Sequence, residues 1–338
     1  MWVPSGGLEG RPYEELTLTA AVKHGKRTEL FGDDAMGRKV ITLLIAAIVW
    51  PMCMLTYGQT ITPSQLRALT ERIPPRLNRA LTGSQFVEYV SKMDPRQREQ
   101  AILSEILQGN LPSFLRKLIP VELEHLDHGK TLRATVFVTP DYLAIGSDKD
   151  FLRIPMNLYT ATAIVARFGF MLPTRKIVDA IYNQSSYHFD PQPMPPGPQM
   201  RSTEYYRIHN EMIELQSRVR GIPVGELVSG DKKDVVVTNL LASKPDRIAI
   251  YGWHRSAGDP IQPLSTLHCA RYADYSHGIR LVSEVAILNG ELRSIYEILQ
   301  DSSLAKVLSD EGPIRGLREL TAPANRLFTS LADSIPVR

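Results

Sequence analysis

The sequence predicts an α+β fold: a helical N-terminal part with a small antiparallel sheet, then a mixed or antiparallel β core flanked by helices. Three observations lead there. Apolar residues at helical spacing dominate the first half, short β-branched runs dominate from Asp234 onward, and a proline-rich stretch at 190–200 stands between them. A hydrophobic content of 43% with 22% charge over 338 residues is that of a globular chain able to bury a core.

The elements follow in order. Thr62-Pro63 and Thr82-Gly83-Ser84 are helix starts and predict helices over Pro63 to Ile73 and Ser84 to Leu107. From Thr131 to Val138, Leu132, Ala134, Val136 and Val138 alternate with polar residues, the period of a half-buried strand. Tyr142 to Ile145 and Phe151 to Pro155 read as the next strands, joined at Gly146-Ser147-Asp148. Ala161, Ile164, Val165 and Phe168 give a helical stripe, and Pro173-Thr174 opens a second helix with Ile177, Val178 and Ile181 on one face. Residues 190–200 hold five prolines and a glycine and predict a rigid extended connector. Helical spacing resumes from Tyr206 and ends on Gly221, a suitable C-cap. The runs DVVVTNLL, RIAIYGW and IRLVSEVAIL predict the core sheet, and Glu291 to Leu308 and Ile314 to Leu320 return to helix.

An export signal is expected near the N-terminus. Gly37, Arg38 and Lys39 form a basic lead and Val40 to Leu55 an uncharged apolar run, shorter than the roughly 20 residues a spanning helix needs. The expected organisation is an upstream extension at 1–35, a signal peptide at 36–59, a helical and small-sheet region at 60–189, the connector at 190–200, and a β-rich catalytic region at 201–338. The expected location is secreted or periplasmic, with membrane contact only through the signal segment if it is uncleaved. With 39 basic against 36 acidic residues and no long basic run, the chain has no electrostatic footprint for nucleic acid.

Chemistry concentrates in YGWHRSAGDPIQPLSTLHCARYADYSHGIRLV, where His254, His268 and His277 fall within 24 residues. Three readings stay open. In a metal site His254, His268 and His277, with Asp274 or Asp259, would hold zinc and leave a position for water. In a nucleophilic site Ser276 or Cys269 would act with a histidine base oriented by Asp274 or Asp234; Ser276 and His277, adjacent on a strand, point to opposite faces, which favours His254 as the partner of Ser276, or His277 as the partner of another residue. In the third reading the rings only pack and satisfy buried polar groups. Trp253, Tyr272 and Tyr275 would stack on a sugar or fill space, and Arg255 and Arg280 would bind a substrate carboxylate. Lys233, within Asp231-Lys232-Lys233-Asp234, would project into the same cleft, or the four would form a solvated turn.

Ser276-His277-Gly278-Ile279-Arg280 resembles the SHGCIR signature of the L,D-transpeptidases, secreted β-rich enzymes that remodel peptidoglycan with a cysteine nucleophile. Ile279 stands where that family has its cysteine and the next residue, so the nucleophile does not carry over. The segments GNLPSFLRKL, VTPDYLAIGSDKDF, LPTRKIVDAIY, KKDVVV, IAIYGWH and DYSHGIRLV resemble an uncharacterised family of exported bacterial proteins, which implies a bacterial origin and no activity. The functional expectation is an exported hydrolase or transferase acting on an extracellular polymer, a cell-wall peptide or glycan fragment first. His254, His277, Asp274 and Ser276 would be its catalytic residues. The alternative is a non-catalytic exported protein that binds a ligand or polysaccharide.

Overall fold

Capping residues decide where the first helices begin. The computed structural model describes residues 61–314, 316 and 317; the signal-like segment and the 35 residues before it lie outside the described residues. Helices α1 (Pro63–Ala68), α2 (Gly83–Val90) and α3 (Pro95–Leu107) each open on a capping box, Thr62 with Gln65, Thr82 with Gln85, and Asp94 with Gln97. The single helix expected over Ser84 to Leu107 is therefore two. Asp94 caps the second, and Pro95 has no N–H with which to continue the first. Strands β1 (Ile119–Asp127) and β2 (Lys130–Val138) form a hairpin in register from Ile119 opposite Val138 to Asp127 opposite Lys130. Its two-residue turn, His128-Gly129, has positive φ at both positions, matching the right-handed strand twist.

A second hairpin joins β3 (Ala144–Ser147) to β4 (Asp150–Arg153). Next come α4 (Leu158–Phe168), β5 (Phe170–Met171), α5 (Arg175–Gln184), β6 (Tyr187–His188) and α6 (Thr203–Arg220). The rest comprises β7 (Val228–Ser229), β8 (Lys233–Val235), β9 (Ile250–Ser256), β10 (Asp259–Ser265), β11 (His277–Gly278), β12 (Val282–Leu288), β13 (Glu291–Ser294) and α7 (Ile295–Gln300).

The chain is α+β, and its sheets cut across the expected organisation. The main sheet runs β1-β2-β12-β13, with β5 also paired to β12. β2 and β12 come from opposite sides of the proline-rich connector, and Val136, Val138, Val282 and Ala286 are buried in one core. The boundary at 190–200 is thus not a division of the fold. Three differences are local: Ile119–Asp127 adds β1 as the hairpin partner of β2, Asp259–Ser265 adds strand β10, and Glu291 to Leu308 holds β13, the short α7 and a 3-10 turn rather than one helix. The connector is strapped to the body, since Met194 N–H donates to the Tyr275 hydroxyl (2.7 Å) and Tyr275 N–H donates to the Met200 carbonyl (3.0 Å). The smaller sheet, β10-β9-β8-β11, holds or borders most of the candidate site residues, with β11 parallel to β8 and the other pairs antiparallel.

Candidate functional site

β8 is central to this sheet, and its alternation sorts the titratable groups. Lys233 and Asp234 are consecutive, so they point to opposite faces. Gly252 lies opposite Lys233 on β9, and His277 lies opposite it on β11. At Gly252 and Trp253 the backbone takes φ of 105° and 58°. Left-handed backbone costs a bulky residue more than a glycine, so Trp253 is held there by its surroundings. A methyl group at Gly252 would sit 3.5 Å from both Asp234 Oδ2 and His254 Cε1, so glycine leaves the space between that carboxyl and that imidazole.

On this face His254 is 3% exposed, and its Nε2 lies 3.1 Å from Asp179 Oδ1. The Tyr251 hydroxyl donates to the same oxygen at 2.8 Å, and the Tyr182 ring packs against the imidazole at 4.7 Å. Asp179 comes from α5 and its side chain is 38% exposed, so the pair meets solvent at its carboxylate end. Behind lies Asp234, which accepts from the Tyr142 hydroxyl at 2.8 Å. Burial pushes the Asp234 carboxyl up to about 6, against the pull of Arg280, Tyr142 and His254.

The other face gathers a second group. His268 stacks flat on Tyr272, with ring centres 4.0 Å apart, and the Tyr272 hydroxyl donates to Asp274 Oδ2 at 3.0 Å. Ser276 donates twice to Asp274 Oδ1, from its amide at 2.9 Å and its hydroxyl at 2.6 Å. Burial opposes the charge on Asp274, yet His277, the Ser276 bonds and Lys233 hold its carboxyl below the usual value. His277 is sealed, its Nε2 4.0 Å from Asp274 Oδ2, and neither ring nitrogen has a hydrogen-bond partner among the described residues. Burial pushes this imidazole down to about 4, so it is neutral at pH 7. The Lys233 ammonium lies 5.2 Å from the Trp253 ring centre, and its own burial pushes it down.

Asp231, Lys232 and Asp234 are 1%, 0% and 4% exposed, which overturns the solvated-turn reading of this segment. Lys232 Nζ donates to the Tyr275 carbonyl at 2.6 Å and meets His209 Nδ1 at 3.0 Å. Burial pushes the lysine down and the Asp231 carboxyl up. Nearby Arg153 holds Asp141 and Glu214 at 2.7 Å each and stands 3.8 Å from Asp231.

The structure therefore brings together Lys233, Trp253, His268, Tyr272, Asp274, Ser276 and His277, and it sets His254 apart with Asp179. Four expectations change. The Ser276 hydroxyl is fully buried and bound to Asp274 rather than to a histidine, so it lacks the geometry of a nucleophile. Arg280 is fully buried, donates to the Thr139 and Val228 carbonyls and lies on the Tyr142 ring, so it is not free for substrate. Arg255 is exposed and pairs with Asp259 on its own hairpin. His254, His268 and His277 do not form one ligand set: one ring pairs with Asp179, one stacks on Tyr272 and one is sealed. Among the described residues no three His, Cys, Asp or Glu side chains are placed to hold a metal, and these residues do not fit the expected zinc shell. Tyr275 is fastened to the connector through its hydroxyl, and Cys269 is exposed and unpaired.

Asp179 was missed by sequence reasoning because it sits 75 residues before His254 on another element. The available signal was the stripe Arg175, Asp179 and Tyr182 at i, i+4 and i+7 on α5, polar where a packing face would be apolar. Comparison with family models, with characterised proteins and with solved structures finds no match for this chain, which leaves its geometry as the ground for a functional reading.

Proposed function

We propose that the protein is an exported hydrolase or transferase acting on an extracellular polymer, with cell-wall peptide or glycan as the first substrate class and His254 as its general acid–base. The carrying observation is the His254–Asp179 pair, whose carboxylate end is open to solvent. Asp179 Oδ1 can only accept, so it fixes the proton on Nε2 and leaves Nδ1 as the basic nitrogen. It also stabilises the imidazolium formed when Nδ1 takes a proton from water, for hydrolysis, or from an acceptor hydroxyl or amine, for transfer; the same nitrogen then returns the proton to the leaving group. The Tyr251 hydroxyl keeps the carboxylate oriented. Export rests on the basic-then-apolar segment from Met36 to Gln59.

A second reading, a non-catalytic exported ligand- or polysaccharide-binding protein, is favoured by the small exposure of His254 itself. Incubation with purified peptidoglycan and with soluble polysaccharides, followed by chromatography and mass spectrometry of released fragments, separates the two. The expected result is release by the parent, at least about a hundredfold slower in His254→Ala and Asp179→Asn, the usual scale of a lost general base. Binding of a polymer with no fragment released by the parent overturns the enzyme reading in favour of the binding one.

A further inference from the structure

Helix α5 opens with Arg175 and Lys176 and has no acidic residue in its first turn, the opposite of what the helix dipole favours. The two cations are used differently. Lys176 Nζ donates to the Lys306 carbonyl at 2.5 Å, and burial pushes its ammonium down. Arg175 is 38% exposed and reaches Asp310 through one terminal nitrogen, while its buried Nε has no partner among the described residues. Asp310 is itself 36% exposed, and an ion pair between two exposed side chains contributes little and exchanges readily.

Arg175 is also on the stripe that builds the reacting pair. Arg175 and Asp179 are one turn apart on the same face, with Cβ atoms about 5–6 Å apart by helix geometry. The Arg175 guanidinium lies 5.9 Å from the ring centre of Tyr251, whose hydroxyl holds Asp179, and Tyr182 packs on His254. We infer that Arg175 is the specificity residue of this site and reads a carboxylate on the substrate, one helical turn from Asp179, the partner of His254. The inference rests on the reading of His254 and Asp179 as the reacting centre, and it gives Arg175 the role that sequence reasoning assigned to Arg255 and Arg280. A substrate carboxylate that displaces Asp310 would engage Nε and a terminal nitrogen together, the bidentate geometry a guanidinium offers and an ammonium does not. Carboxylates of this kind occur on peptide stems and on uronic acids.

The test is equilibrium binding to the full chain of three probes: muropeptides released from peptidoglycan by a muramidase, the same muropeptides with carboxyls converted to methylamides, and oligogalacturonate. The parent is expected to bind one free-carboxylate probe about tenfold or more tightly than the amidated one, the scale of a charge-assisted hydrogen bond; which probe it prefers distinguishes peptide from uronate. Arg175→Gln, checked for an unchanged melting temperature, is expected to abolish the preference, Arg175→Lys to restore part of it, and Asp310→Asn to tighten binding severalfold. In turnover assays Arg175→Gln should raise KM and leave kcat within about threefold, the signature of lost uniform binding. Equal affinity of the parent for free and amidated probes, binding of neither free-carboxylate probe, or a preference that survives Arg175→Gln overturns the inference. A carboxylate preference without turnover leaves Arg175 its role and removes the catalytic reading; turnover without the preference does the reverse.

Discussion

The two faces of the small sheet hold similar residues in opposite states. On one, His254 is paired with Asp179, which reaches solvent. On the other, His277 is closed off with both nitrogens unpartnered among the described residues, beside an Asp274 already occupied by Ser276 and Tyr272. The contrast teaches that an imidazole near a carboxylate is not by itself a reacting group. A base needs a partner that fixes its proton and a path to substrate; His254 has a carboxylate partner that reaches solvent, whereas His277 is fully buried with no hydrogen-bond partner among the described residues.

The largest effect that would break the comparison is on turnover. His254→Ala and Asp179→Asn should each slow fragment release at least about a hundredfold, and His277→Leu should not slow it by more than a few-fold. A hundredfold loss in His277→Leu would reverse the roles of the two faces.

Next comes the acid sensitivity of the sealed ring. The unfolded chain takes up the His277 proton below about 6.5, and the folded chain takes it up only near 4. Between those values the unfolded state binds more protons, so this residue makes stability fall as pH drops, by about 3 kcal/mol over the window. Denaturant titrations of His277→Leu and the parent at pH 7 and pH 4 should therefore differ in slope with pH, the variant being the less acid-sensitive. At pH 7 the substitution should cost little, because it removes two unsatisfied polar atoms along with the ring.

Smaller effects sharpen the same contrast. Ser276→Ala removes the 2.6 Å bond to Asp274 and should cost about 1–2 kcal/mol in denaturant unfolding while leaving fragment release intact. Arg255→Ala breaks an exposed pair with Asp259 and should stay within about 0.5 kcal/mol of the parent, with unchanged affinity for every probe.

Part of the site was legible because it lies in one stretch of chain. Asp274, Ser276, Tyr272, His268 and His277 are neighbours in sequence and in space, in the segment that leaves β10 and enters β11 at His277. Asp179 was not legible, since its partnership with His254 requires α5 to pack on β9. Nor was the burial of Asp231, Lys232 and Asp234, since four ionisable residues after a glycine read as a surface turn until β9 and β11 close on both sides of β8. In the fold, capping residues and β2 were readable from local pattern. The lateral neighbour of β2 was not, because the apolar alternation of a strand says which face is buried and nothing about which strand lies beside it.

By itself the sequence determined the α+β class, the helix starts at Thr62, Thr82 and Thr174, and the density of ionisable and aromatic side chains between Tyr251 and Arg280, since propensity, caps and period are local properties. Tertiary structure alone decided which imidazole meets which carboxylate. That choice depends on the face each side chain takes around β8 and on the positive φ at Gly252 and Trp253, which long-range packing imposes.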